Sequence, residues 1–124
     1  MMWTELERLA DAPAGLPAAD TRLADLSEYI WLIQADSGRL VAVAGLYFPS
    51  AILRAAVLWL IPYPSLRPRD ALGLRKLTHV VLARTPNTAL LIDRGEARNA
   101  RFAEWLGFMR TELNDEHWVY KWPH

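Results

Sequence analysis

Cysteine is absent from this 124-residue sequence. Its absence removes disulfides, thiolate metal sites and thiol nucleophiles together, and agrees with a reducing compartment. Histidine is scarce: His79, His117 and His124 lie far apart without zinc-ligand spacing, so no metal is expected. Net charge is lacking too. Fourteen Lys and Arg balance 14 Asp and Glu, so no global field draws phosphate backbones or anionic lipid, and neither nucleic acid nor membrane is an expected partner. The longest apolar run, 55–61, is far short of the roughly 20 residues of a membrane helix. The opening Met1-Met2-Trp3-Thr4-Glu5 lacks the basic-then-apolar order of a secretory signal. A soluble cytoplasmic protein is the expectation.

What is present is apolar surface, 52% of residues against 23% charged, which excludes a disordered chain. The length suits a single domain, 1–124, with one core. Thr4 followed by Glu7 has capping-box spacing and Leu6 and Leu9 share a face, which predicts a short helix over 4–10. A second helix is open at 18–26. The pattern then turns to β. Runs at 29–34 and 40–48 flank the turn Asp36-Ser37-Gly38-Arg39 and predict a hairpin. Run 55–61 is apolar almost throughout and reads as the central strand, covered on both faces and stopped by Pro62.

After the proline-rich loop 62–68, Asp70 can cap a helix reaching Arg84, with Leu74, Leu77 and Val81 inward and Val80 beside them. Strand 89–93 and helix 96–106 follow, with Phe102, Trp105 and Leu106 as the helix's apolar face. Gly107 is placed for a left-handed helix end, with Phe108 packing back. Strands 108–113 and 117–122 close the chain, Trp118, Tyr120 and Trp122 sharing one face. That face is either core or a surface for a protein partner. The prediction is a mixed α/β (α+β) domain, its mainly antiparallel sheet containing a parallel central pair, 55–61 with 89–93, flanked by helices.

This order resembles the GNAT superfamily of acyl-CoA-dependent N-acetyltransferases. The most specific stretch is Leu90-Leu91-Ile92-Asp93 followed by Asn99-Ala100-Arg101-Phe102-Ala103-Glu104-Trp105-Leu106-Gly107-Phe108, which looks like the family's fifth strand, fourth helix and closing Leu-Gly-Phe. Arg101-Phe102, Trp105-Leu106-Gly107-Phe108, Trp59 and Arg75-Lys76 resemble the short GNAT-like proteins of podophages, of the internal virion protein A type. That resemblance implies a bacteriophage protein of virion morphogenesis, in the host cytoplasm, with a phage or host protein as partner of the 118/120/122 face. The usual first strand is expected to be truncated or absent.

The family resemblance also implies a cofactor, acetyl-CoA, whose pyrophosphate is held by the amides of a Gly-rich loop at a helix N-terminus. The corresponding stretch here is Leu66-Arg67-Pro68-Arg69-Asp70-Ala71-Leu72-Gly73. Pro68 has no N–H, Asp70 adds negative charge and two close-approach glycines are missing. Acetyl-CoA is therefore not expected to bind tightly; if it binds, Leu60, Ile61, Arg67, Arg69 and Asn99 are the candidate contacts. Arg67 and Arg69 can otherwise be a solvated loop. The usual Tyr general acid, four residues before the Gly, is Ala103, and the usual Asn at the start of the helix is Glu96. Asp93, Glu96 and His117 are candidate bases, although carboxylates near a helix N-terminus also serve the helix dipole. Two functions follow: a GNAT-fold protein of assembly or interaction without robust transfer, or an acetyltransferase with a noncanonical phosphate loop.

Overall fold

The computed structural model describes residues 1–16, 24–48, 56–83, 88–93, 97–113 and 117–121. Parts of the expected helix 18–26, Arg84 and the break after it, Glu96, the turn 114–116 and Trp122 lie outside the described residues. Seven strands form one sheet: β1 (Met2–Leu6), β2 (Tyr29–Gln34), β3 (Leu40–Tyr47), β4 (Ala56–Pro62), β5 (Thr88–Asp93), β6 (Met109–Leu113) and β7 (His117–Lys121). Their spatial order is β1-β2-β3-β4-β5-β7-β6. Every neighbouring pair is antiparallel except β4 with β5. The predicted fold class and the parallel central pair are therefore observed. Among the described residues two helices flank these strands, α1 (Asp70–Leu82) between β4 and β5, and α2 (Ala97–Leu106) between β5 and β6, and Ala24 and Asp25 are helical as well.

The first segment departs from the expected helix. Residues 2–6 form a strand paired along its whole length with β2, so the first strand is present. A seven-residue helix has little to offset its costly nucleus, whereas Met2-Trp3-Thr4 gains a complete ladder by joining the sheet. The Leu9–Asp11 stretch that follows is a single 3₁₀ turn.

The strand buried throughout is β3, from Val41 to Leu46, and not β4. In β4 only Ala56 and Leu58 are buried and residues 59–61 are half-exposed. The strand also continues through Pro62, which pairs with Ala42. The amide of Tyr63 donates to Val41 O at 2.9 Å, so alternation along the ladder turns the nitrogen of Pro62 away from β3. No ladder bond is lost there, because β5 has already left that side of β4.

Both helices cover one face of the sheet. Leu58, Leu82, Ala103, Leu106, Phe108 and Tyr120 share a core cluster there. His79 Nε2 lies 2.9 Å from Leu106 O, and the Arg75 guanidinium sits 5.1 Å from the Trp105 ring centre. Trp105, expected in the core, is 40% exposed because it caps this seam, with Phe102 stacked at 6.1 Å. Val80 is also exposed: Leu74, Thr78 and Leu82 form the buried stripe of α1, and Val80 falls on its far side. On the opposite face, Ile30, Leu32, Val43 and Tyr63 pack with Leu6, Leu9, Leu16 and Trp59. Gly107 has φ 113°, as its helix-end role requires, and the Phe108 amide donates to Ala103 O. Tyr120 is fully buried, so the last strand contributes core at that position and not partner surface.

Candidate functional site

The seam between β4 and β5 is short. Ala56, Val57 and Leu58 pair with Thr88, Ala89 and Leu90, and there the pairing ends. Beyond it β4 stays with β3 as far as Pro62, while β5 stays with β7 as far as Asp93. The two parallel strands therefore splay apart. On the β4 wall Ile61 directs its peptide groups to β3, so alternation turns those of Leu60 into the gap. Of these two candidate cofactor contacts, Leu60 thus turns its peptide groups to the opening and Ile61 does not.

Across the gap, Asp93 ends β5 with His117 as its direct cross-strand partner on β7. The fold brings these two candidate bases to one end of the sheet. Asn99 lies in the first turns of α2. Glu96 falls outside the described residues. Ala103, in the position of the missing acid, is buried under Phe108 in the core.

The loop from β4 to α1 is already bonded within itself. The amides of Leu66, Asp70 and Ala71 donate to Tyr63 O, Arg67 O and Pro68 O. The Arg67 amide donates to Asp70 Oδ2 at 2.8 Å. Pro68 has no amide to give. Gly73, the one glycine of this stretch, has the Met1 side chain against it. With the Leu66, Arg67, Asp70 and Ala71 amides engaged in the loop and none at Pro68, the loop does not fit a diphosphate that needs several converging amides.

An internal carboxylate occupies the helix start instead. Arg39, from the β2–β3 turn, donates Nη1 to Asp70 Oδ2 and Nη2 to Asp70 Oδ1, both at 2.7 Å, and Nη1 also reaches Ser65 O at 2.8 Å. The Asp70 side chain is 5% exposed and that of Arg39 17%. Bidentate bonding to Arg39 holds the Asp70 carboxyl at about 2, below its ordinary 3.8, with the Arg67 amide adding to the effect against the opposing cost of burial. Beside the pair an open cleft of about 320 Å³ is lined by Arg39, Arg69, Asp70, Ser37 and Gly73 among others. Arg69 lines this cleft, whereas Arg67 meets Asp70 through its main-chain amide and carbonyl.

Arg39 was not among the residues singled out from the sequence. It follows Gly38 in a turn and bonds a residue 31 positions away, a separation that carries no local spacing signal. Trp59, at the splay, donates its indole N–H to Ser27 Oγ at 2.7 Å and lies across Gly45. Among the described residues no group of three or more acidic or histidine side chains could hold a metal, and no helix is long and apolar enough to cross a membrane.

No protein-family model matches the sequence, and no curated protein is similar to it in sequence. Solved structures do match. A spermidine N-acetyltransferase SpeG chimera from Vibrio cholerae and the human enzyme superposes with TM-score 0.56 at 16% identity, covering 78% of this chain and 65% of that one. The fold is that of the GNAT acetyltransferases. A point mutant of the V. cholerae SpeG superposes with TM-score 0.62 at 15% identity over 98% of this chain and 92% of that one. Campylobacter jejuni PseH, in complex with acetyl coenzyme A, gives 0.60 at 8% identity over 75% and 65%. The chain thus spans just under two thirds of the length of the chimera and of PseH. At these identities the likeness is one of fold.

Proposed function

We propose that this chain is a GNAT-fold interaction module without robust acyl transfer. The observation that carries the reading is the Asp70–Arg39 pair: where the resemblance puts a cofactor diphosphate, the chain supplies its own anion and clamps it with its own arginine. Neighbouring amides are satisfied internally, so a diphosphate there would displace a bidentate charge pair and gain no preformed nest. Ala103 in place of a Tyr acid supports the same reading. The finer role, virion morphogenesis as a phage-encoded protein, draws its support from Arg101-Phe102 and the Trp105-to-Phe108 step.

The second reading is an N-acetyltransferase with a noncanonical loop, and the splay with the open peptide group of Leu60 favours it. Titration calorimetry with acetyl-CoA separates the two. The interaction module binds no tighter than roughly 1 mM, about 4 kcal/mol of affinity. Micromolar binding, lost when Arg67 and Arg69 are both changed to Ala, would establish the enzyme reading with a side-chain phosphate clamp.

A further inference from the structure

The two outer strands of the sheet differ in how they guard their open edges. β6 breaks register between Arg110 and Glu112, an irregularity of the kind that disrupts edge pairing, and it carries Arg110 exposed beside that break. β1 has no register break, and its one charge is Glu5. Its five residues pair with β2 in unbroken register, and it contains no Lys, Pro or Gly. Met2 is 54% and Trp3 37% exposed, and Thr4 and Glu5 are exposed as well. Trp3 packs on Trp31 at 5.2 Å and Trp31 stacks on Tyr29 at 5.6 Å, an aromatic row that runs from β2 out to the edge. Among the described residues nothing pairs with the outer side of β1.

We propose that β1 is a self-association edge, on which a second copy of this chain pairs its own β1 antiparallel about a two-fold axis at Thr4. The sequence of β1 is self-complementary in that register. Met2 falls opposite Leu6 of the second copy, Trp3 opposite Glu5, and Thr4 opposite Thr4. The one charged residue of β1, Glu5, falls directly opposite Trp3 and not opposite a like charge, and cross-strand Thr pairs and apolar pairs are favourable. Trp3 and Glu5 share the face of the aromatic row, because their β2 partners are Ile33 and Trp31. The row of one copy is therefore continued on the same face by the row of the other. An isologous edge of this kind closes at two copies and leaves the bulged β6 edges outermost.

Sedimentation velocity on the intact chain, at concentrations up to about 200 µM, tests the proposal. The parent should shift from monomer mass to twice that mass as concentration rises. Thr4→Lys and Thr4→Glu place like charges across the axis, and each alone should weaken association about tenfold or more. Thr4 is exposed, so at a concentration where the parent is monomeric both variants should melt within a few degrees of it. An equal mixture of the two should recover the dimer, because Lys then faces Glu. A parent that stays monomeric at the highest concentration overturns the proposal. So does a dimer indifferent to both substitutions, or a mixture that fails to recover association.

Discussion

The two halves of the sheet are held by different means. From β1 to β4 the strands pair along nearly their whole lengths, and β3 is buried from Val41 to Leu46. The other half, β5 with β7 and β6, joins the first through only three residue pairs before the seam opens. Of the candidate residues, Leu60 turns its peptide groups to this opening, and Arg67 and Arg69 lie on the loop beside it. The lesson is that the opening needs a rigid wall. Trp59 and the Arg39–Asp70 pair tie the far end of β4, and the loop after it, to the closed half, so the seam can part without loosening the core.

The largest expected effect comes from striking that wall. A Cβ on Gly45 would meet Trp59 Cζ2 at 2.2 Å, so Gly45→Ala must push the indole off β3 and break its bond to Ser27. Urea unfolding should show a loss of about 3 kcal/mol. Adding Trp59→Leu should recover part of that loss; no recovery would mean that the interlock is not what the Ala disturbs.

The second experiment sharpens the comparison through pH. Asp70 has a folded-state value of about 2 against an ordinary 3.8, so the unfolded chain takes up this proton first as pH falls. The stability contributed by its charge is whole above about pH 4 and is lost as pH drops toward 2. Asp70→Asn should lower the melting temperature at pH 7 and flatten this acid limb. Parallel limbs in parent and variant would show that the pair does not tie the loop to the sheet.

Gly107→Ala acts on the other half. With φ 113° the added Cβ is strained, and a loss of about 1 kcal/mol is expected, without the interlock phenotype of Gly45. The smallest effect is that of Arg75→Ala, which removes the cation over Trp105 between the helices and should cost a few tenths to about 1 kcal/mol in the same urea assay.

Much of the sheet was legible because its strands carry local marks. The run 29–34 is bounded as predicted, since β-branched and aromatic residues there end at the turn containing Gly38, whose φ is 88°. The helix end at Gly107 is equally local, a single residue without a Cβ where the chain must turn left-handed. The helix expected over 4–10 failed for the opposite reason. Its helical spacing is real, but the decisive partner, β2, lies more than twenty residues away. Trp105 failed likewise, because an aromatic at the right helical position fits a core or a seam equally well.

At the candidate site, the residue types were determined by the sequence alone: a proline and an aspartate where a glycine-rich cradle belongs, an alanine where an acid belongs. The parallel seam could be inferred from the order of strands and helix. Only the tertiary structure decided what these residues do with one another. That the seam parts after Leu58, that Asp93 and His117 end up opposite each other, and that Arg39 closes on Asp70 are matters of long-range pairing. Local propensity follows from each residue and its near neighbours. The partner of a charge or of a strand edge is chosen by the folded chain as a whole, through distances that no short window of sequence contains.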